Sequence, residues 1–383
     1  MTEFFAYGLL KYAQVEALER DTPLVIPLGE GYDLDRLESA LGRPERAGLL
    51  PAIPYGWPGS GLVVPQEKFR PMLLNLADSL REDGFTQIHI LTPQDAGLEL
   101  GSTGISLFHP SQAASEMRIP PENGGDQVIV IPVGHTEQHA LHLPMSTDTL
   151  IIEAIGVGMA AAAPDRNYSL PATPYGVSTH RQAFAGTLSC GGRAFEDFWG
   201  AVVDILAGRG FERIYFINGH GGNHSFLVNV IKYSGERHRR AFIATAWLYL
   251  SSEQGVQALQ SLRSSGLGGM GHAGELETSL ILHLHPELVE MDKVVDEVDF
   301  ISTPSYFMDW AEGGSLIANP PWDDDTRTGA YGAGSMATAE KGRLWLEAAI
   351  EEKLSHMREI HEQQARREQR RRAGFGLWGR AKG

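Results

Sequence analysis

The chain has 383 residues, 42% apolar and 21% charged, which is typical of a folded globular protein with room for two or three domains. Its formal net charge of −16 argues against general binding to nucleic acid or anionic lipid. The single cysteine, Cys190, excludes an intramolecular disulfide and a thiolate zinc cage, so any metal must be bound by histidine and carboxylate side chains. No basic signal region and no apolar stretch of ~20 residues is present, so we expect a cytoplasmic protein without membrane insertion.

Short β-branched runs alternate with helical patterns from the start of the chain to about residue 217. Buried strands are predicted at residues 23–27, 87–91, 127–132, 169 onward and 213–217. Helices are predicted at residues 69–83, 147–163 and 195–208. This strand–helix–strand order predicts an α/β fold, with a mostly parallel sheet and helices on both faces.

Three phrases of the first part of the chain recur later in the same order. They are Val25-Ile26-Pro27-Leu28-Gly29 with Val130-Ile131-Pro132-Val133-Gly134, Leu50-Pro51-Ala52-Ile53-Pro54-Tyr55-Gly56 with Leu170-Pro171-Ala172-Thr173-Pro174-Tyr175-Gly176, and Gly84-Phe85-Thr86-Gln87-Ile88 with Gly210-Phe211-Glu212-Arg213-Ile214. Recurrence in order indicates a duplicated unit, although similar α/β proteins also reuse such phrases by chance.

The first copy lacks the polar side chains of the second. Opposite Glu137, His139 and His220 stand Tyr32, Leu34 and Gln94, respectively. We therefore divide the chain into four predicted parts. These are a degenerate, metal-free half-repeat at residues 1–105, a linker at 106–125, a catalytic domain at 126–350, and a polar helix with a basic tail at 351–383.

Histidine and carboxylate side chains follow the predicted strands of the second copy or open its helices. They are Glu137, His139, Asp148, His220, His272, Glu275 and Glu277. Ligands of open α/β sheets bind at the carboxyl ends of the strands, and nitrogen and oxygen ligands without sulfur suit a catalytic Zn, Mn or Fe site. Each residue alone also fits a structural role: Asp148 fits a helix N-cap, and the two later glutamates fit the first turn of a helix.

Six separated motifs, in order along about residues 126–350, resemble the creatininase (creatinine amidohydrolase) family. They are Glu137-Gln138-His139, His142-Leu143-Pro144 with Thr147-Asp148, Pro174-Tyr175-Gly176, Gly186-Thr187, Asn218-Gly219-His220-Gly221-Gly222-Asn223, and His272-Ala273-Gly274-Glu275-Leu276-Glu277-Thr278-Ser279. The resemblance implies a three-layer α/β/α fold and a homo-oligomer, either a hexamer or a dimer. It also implies metal-dependent hydrolysis of C–N bonds in small amides, such as cyclic amides and formamides.

The resemblance further implies two divalent ions, Zn, Mn or Fe, in each chain. Glu137 and His220 would hold one ion, His139 would hold the other, and Asp148 would bridge both. Creatininase has a further glutamate ligand where this chain has Gly222.

Charge counting predicts a replacement for that missing glutamate. Two divalent ions bring four positive charges, whereas Glu137, Asp148 and a bridging hydroxide bring only three negative ones. We expect Glu275 to supply the further ligand. Glu277, which matches an acid that the family retains, is the alternative ligand and a candidate catalytic residue.

In the mechanism that the resemblance implies, a hydroxide between the ions attacks the amide and the leaving nitrogen is protonated. His272 matches the proton-shuttling histidine of the family, with a core or capping histidine as the alternative.

Four further residues are expected to bind substrate. They are His180, Arg181, Asn223 and Trp247. Creatininase encloses creatinine between two tryptophans. Trp247 is the counterpart of the first, but Gly268 stands at the second position, so creatinine itself is disfavoured and the substrate stays open.

Two other functions remain open at this stage. The same ions would serve a sugar or polyol isomerase or epimerase, and a metal-binding scaffold subunit would need no catalysis. The basic tail from Arg366 onward fits a solvated terminus, a membrane contact or an acidic partner.

Overall fold

The computed structural model describes residues 1–108, 126–179 and 183–374. The expected substrate residues His180 and Arg181, residues 109–125 of the expected linker, and residues 375–383 of the basic tail lie outside the described residues.

The first part of the chain forms a five-stranded sheet in which every neighbouring pair is parallel, in the order β1-β3-β2-β4-β5. Its strands are β1 (Glu3–Ala6), β2 (Leu24–Pro27), β3 (Arg46–Leu49), β4 (Ile88–Pro93) and β5 (Gly104–Leu107). Its helices are α1 (Tyr12–Glu16), α2 (Leu34–Ala40) and α3 (Gln66–Glu82). Ser106 and Leu107, expected in the linker, pair with β4 instead, so the sheet extends into the expected linker.

The second part forms a four-stranded parallel sheet in the order β7-β6-β8-β9. Its strands are β6 (Val128–Val133), β7 (Asn167–Ser169), β8 (Arg213–Asn218) and β9 (Phe242–Thr245). Its helices are α4 (Thr147–Ala162), α5 (Gly192–Gly208), α6 (His224–Arg237), α7 (Glu253–Leu262), α8 (Glu275–Leu284) and α9 (Ala339–Arg372). The strand expected from residue 169 onward ends there instead, because β7 pairs with β6 only through residues 167–169.

Both sheets have helices on their two faces, so the predicted α/β/α architecture is confirmed. Because side chains alternate along a strand, β6 directs Ile129 and Ile131 into one core and Val128 and Val130 into another. The first of these cores also contains side chains of β2, β4, α3 and α5, and α3 packs on α5. A layer of helices therefore lies between the two sheets and is shared by them.

Helix α9 does not begin at the expected position 351. It runs without a break from Ala339 to Arg372. Beyond position 351, its apolar stripe continues with Leu354, Met357 and Ile360, which are spaced three residues apart and pack in the second core. Near its end, the Arg367 guanidinium lies over the Phe242 ring, 5.2 Å from the centroid. The described part of the basic tail thus packs on its own chain. No helix within the described ranges has the length and apolarity needed to cross a bilayer.

Candidate metal centre

A buried cluster of histidines and carboxylates lies at the carboxyl ends of β6 and β8. Its side chains are His135, Glu137, His139, Asp148, His220, His272 and Glu277, and none exposes more than 2% of its surface. The loop after β6 supplies the first three, α4 and the loop after β8 supply the next two, and the turn before α8 and its first turn supply the last two. This is the end of a parallel sheet at which ligands bind.

Asp148 lies at the centre of the cluster. Its Oδ1 atom is 3.0 Å from Nε2 of His139, and its Oδ2 atom is 3.1 Å from Nδ1 of His220. Tyr249 supports this orientation, because its hydroxyl donates a 2.7 Å hydrogen bond to the Gly219 carbonyl and lies 3.4 Å from Oδ1. One carboxylate therefore faces two histidines through different oxygens, as a bridging ligand does.

Backbone carbonyls fix which nitrogen of two of these rings carries the proton. His139 donates from Nδ1 to the Glu137 carbonyl at 3.1 Å, and His220 donates from Nε2 to the Val177 carbonyl at 3.1 Å. The second nitrogens of the two rings, His139 Nε2 and His220 Nδ1, then face carboxylates and are the ones that a metal ion would bind. Carbonyl partners of this kind orient metal-binding histidines, so the donor set fits divalent cations.

The clustered atoms form three groups, in each of which the atoms lie within 4.8 Å of one another. The groups are His135–Glu137–His220, Glu137–His139–His272 and His139–Asp148–Glu277. Oε2 of Glu277 is 3.9 Å from Nε2 of His139 and accepts a 2.7 Å hydrogen bond from the Ala273 amide. Glu277 therefore supplies a third carboxylate on the His139 side of Asp148.

The structure does not bring Glu275 to the cluster. Its carboxylate accepts hydrogen bonds from the amides of Ser264 and Ser265, at 2.8 Å each, and forms an ion pair with Lys341. Burial acts to raise the pKa of Glu275, but these partners outweigh it and lower the pKa. Residues two apart on a helix lie about 200° apart, so Glu275 and Glu277 face opposite sides of α8 and only one can reach the cluster.

The electrostatic field of the cluster favours cations. Burial acts to lower the pKa of His220, but the carboxylates of Glu137 and Asp148 outweigh it and raise the pKa to about 9. Burial likewise acts to lower the pKa of His139, which Asp148 raises instead. Burial acts to raise the pKa of Asp148, and its two histidines hold that pKa well below its ordinary value. Protons in the metal-free protein thus occupy the positions that metal ions would take.

His272 is oriented by the carbonyl of Gln138, to which its Nε2 donates a 2.8 Å hydrogen bond. Its Nδ1 therefore faces the cluster, 3.7 Å from Glu137 Oε1 and 3.8 Å from Glu277 Oε2. Trp322 packs edge-on against the ring with centroids 5.5 Å apart. The expected proton-transfer residue is thus placed beside the candidate ligands.

Sequence reasoning missed two partners of Glu137. His135 accepts a 2.9 Å hydrogen bond from the Gly176 amide at Nδ1, which leaves the proton on Nε2, 3.7 Å from Glu137 Oε2. Ser178 donates to the same oxygen at 3.2 Å. Residues two apart in an extended segment point the same way, so the spacing of His135 and Glu137 was a sequence signal for this contact.

Trp247 lies near the centre as expected, and its second aromatic partner comes from another part of the chain. Trp310 packs against it in a T-shaped pair with ring centroids 5.9 Å apart. A Cβ atom on Gly221, next to His220, would lie 3.5 Å from Trp247 and 3.6 Å from Trp310. No local sequence signal links Trp310 to this position. Gly268 stands where the second tryptophan was sought. Its φ of +86° favours glycine, and an added Cβ would lie 3.3 Å from Phe300.

Asn223, which was expected to bind substrate, connects two loops of the site. Its Oδ1 accepts a 2.9 Å hydrogen bond from the Val177 amide, and its Nδ2 donates to the Gly134 carbonyl at 3.2 Å. The chain also has no space for a side chain at Gly222. A Cβ there would lie 2.2 Å from the Val177 carbonyl oxygen and 2.5 Å from His220 Nε2.

Comparison with known proteins agrees with this geometry. Residues 115–356 match the family model Creatininase, described as creatinine amidohydrolase. The chain is 29% identical to the creatinine amidohydrolase of Pseudomonas putida over 248 residues, covering 59% of this chain and 87% of that protein. It is 30% identical to the mycofactocin precursor peptide peptidase of Mycobacterium tuberculosis over 236 residues, covering 58% of this chain and 82% of that protein.

Solved creatininase structures share the fold of more than half of the chain. One described as containing Mn has a TM-score of 0.51 at 28% identity, covering 61% of this chain and 91% of that chain. A mutant described as of Zn-Zn type has a TM-score of 0.52 at 28% identity, with the same coverage. The fold, the donor cluster and these matches define a metal-dependent hydrolase of amide C–N bonds. The chain belongs to the creatininase family.

Proposed function

We propose that this chain cleaves the C–N bond of a small amide, such as a cyclic amide or formamide, with two divalent ions. The observation that carries the proposal is the position of Asp148, whose two oxygens lie 3.0 and 3.1 Å from nitrogens of different histidines. A carboxylate shared in this way is the central ligand of a two-metal site.

Each ion would have its own ligands besides Asp148. Glu137 and His220 would hold the first, since His220 Nδ1 is 3.1 Å from Glu137 Oε1. His139 and Glu277 would hold the second. Three carboxylates leave one positive charge on two divalent ions, and that charge favours an anionic nucleophile. When bound, such ions lower the pKa of water and polarise a carbonyl group. Mn and Zn appear in the descriptions of related structures, and Fe suits the same donors.

His272 would move the proton that the reaction needs. Its Nε2–H is held by the Gln138 carbonyl, so Nδ1 is the nitrogen that takes up a proton and gives it to the leaving nitrogen. Glu277, which faces Nδ1 at 3.8 Å, would stabilise the protonated ring. Trp322 covers one side of the ring and excludes water from it. The pair of Trp247 and Trp310 would pack against a flat substrate, because aromatic faces favour planar groups. We expect the enzyme to act as a cytoplasmic homo-oligomer.

The test is a hydrolysis screen on metal-loaded protein with cyclic amides, formamides and ureides, followed by mass spectrometry. Hydrolysis of a cyclic substrate gives one product heavier by one water, and hydrolysis of a formamide gives two products whose masses together exceed the substrate by one water. An unchanged mass supports the isomerase alternative. Turnover of none of these substrates at full metal occupancy would favour the scaffold alternative.

Metal content tests the bridging role directly. The Asp148→Ala variant should lose both ions, because each loses a shared ligand. The matched control is Asp165→Ala, since Asp165 is exposed and outside the cluster. Full metal content in folded Asp148→Ala protein would remove the bridging role and with it the proposed mechanism.

A further inference from the structure

The first sheet has a cavity of its own at the carboxyl ends of its strands. Its volume is about 470 Å³, and Ala6, Pro27, Leu49 and Leu91 at the strand ends form part of its lining. In the strand order, β3 lies on one side of β2 and β4 lies on the other, so successive strands are added to opposite sides of β2. The cavity therefore lies at the topological switch point of the sheet. Small molecules bind open α/β sheets at this point, in cavities of ~300–1,000 Å³.

The lining has the chemistry of a site for an apolar molecule with one positive charge. Most of it is aliphatic, and Glu30 is its one charged side chain among the described residues. Burial and the Glu30 carboxylate raise the pKa of Glu153, so Glu153 lies within electrostatic reach of Glu30. The Tyr32 hydroxyl is bonded to the Leu28 carbonyl at 2.8 Å. The Glu30 carboxylate would repel an anionic ligand, whereas an ammonium group would pair with it.

One wall of the cavity is continuous with the backbone that carries two candidate metal ligands. Gly8 and Ser146 both line the cavity, and the Ser146 amide donates to the Gly8 carbonyl at 2.9 Å. The adjacent Met145 carbonyl accepts a 3.0 Å hydrogen bond from the Glu137 amide. Asp148 follows Ser146 by two residues. A molecule in the cavity would therefore contact the segment that holds both carboxylates in position.

We propose that this cavity binds a small apolar cation and that its occupancy changes the affinity of the metal centre. The binding requires no amide hydrolysis, so it stands or falls separately from the proposed reaction. The coupling is reciprocal: if the cation changes metal affinity, metal loading changes the affinity for the cation by the same factor.

Binding is tested by calorimetry on the full-length, metal-loaded protein with 2-phenylethylammonium and, as an anion of similar size, 3-phenylpropionate. The cation should bind more tightly than the anion. Ala52→Trp, which fills the cavity, should weaken cation binding about tenfold or more, and Glu30→Gln should weaken it about threefold. The matched control, Ala201→Trp, lines a different cavity on α5 and should bind like the wild type.

Equal affinity for both probes, or equal binding by wild type and Ala52→Trp, would overturn the proposal. A change of oligomeric state in Ala52→Trp would overturn it as well, because a second copy would then cover the cavity. If Ala52→Trp does not fold, Leu34→Trp fills the cavity from its exposed side and replaces it.

Coupling is measured as metal affinity with and without saturating 2-phenylethylammonium. The expected result is a shift of about threefold or more in the wild type and none in Ala52→Trp. Unchanged metal affinity in the wild type would contradict the coupling, whatever the outcome of the amide screen.

Discussion

Four strands of the first sheet are arranged like the four strands of the second, but the side chains at their ends differ in chemistry. The strand order β3-β2-β4-β5 of the first matches β7-β6-β8-β9 of the second, strand for strand. Beyond β6 come Glu137 and His139, whereas beyond β2 come Tyr32 and Leu34. The common order supports our proposal that the first half is a degenerate repeat. The comparison also indicates that the strand order sets where a site can form, whereas the side chains at the strand ends determine what it binds.

The helices after these strands show the same contrast. Asp33 precedes α2 and accepts hydrogen bonds from the amides of Asp35 and Arg36, which is an ordinary N-cap. Asp148 lies inside the first turn of α4, and its oxygens face His139 and His220 instead of the helix amides. The capping alternative for Asp148 is therefore wrong.

The largest difference in metal content and turnover should come from substitutions at equivalent positions after the two sheets, Glu137 in the second and Tyr32 in the first. Glu137→Gln should lose metal and lower turnover about 10³-fold or more, since it removes both a charge and a ligand oxygen. Tyr32→Phe should keep full metal content and cost about 1 kcal/mol of stability, because its hydrogen bond to the Leu28 carbonyl is lost. Metal analysis and thermal unfolding check both, and equal metal loss in the two variants would contradict the assignment of the centre to the second sheet.

His272→Ala should keep its metal and lose turnover by about 10²- to 10⁴-fold, the range of general acid–base catalysis. The measurement is steady-state turnover beside metal content of the same preparation. Loss of metal from this variant would indicate that His272 is itself a metal ligand. Its Nδ1 atom is close enough to Glu137 and Glu277 to share an ion with them. Unchanged turnover would leave it a structural residue.

Substitution of the two glutamates of α8 should have different effects on metal affinity and on stability. Glu277→Gln should bind metal more weakly. Glu275→Gln should keep its metal and lose about 1–3 kcal/mol of stability, because the ion pair with Lys341 is lost. Metal titration and denaturant unfolding of both variants make the comparison. Weaker metal binding in Glu275→Gln alone would restore the ligand that the sequence had favoured.

The smallest effect concerns pH. The pKa of His220 in the metal-free protein is raised to about 9, so at pH 7 its ring holds a proton that a metal must displace. Metal affinity should therefore fall as pH falls below 9, by about tenfold per pH unit for each proton displaced. Calorimetry in two buffers of different ionisation enthalpy measures the released protons, and no release at pH 7 would refute the expectation.

Much of this arrangement was predictable from sequence, because it depends on local patterns. Strand periodicity placed Glu137, His139 and His220 after strands, and the helical pattern placed Asp148 in a first turn; the structure brings all four together. The expectation for Glu275 failed because charge counting shows that a further carboxylate is needed but not which face of α8 it lies on.

The remaining features depend on contacts between distant segments. Trp310 reaches Trp247 across more than sixty residues, and Asn223 bonds to loops that no spacing rule connects to it. The aromatic wall and the supporting amide therefore required the folded structure.

The layer of α3 and α5 between the two sheets has a consequence for the history of the chain. Phe69 of α3 packs on Phe198 of α5, with centroids 5.8 Å apart, in a core to which both sheets contribute. If the first half is a degenerate repeat, as we propose, this shared layer explains why it is retained, since its deletion would expose an apolar face of the second half and leave that half prone to aggregate.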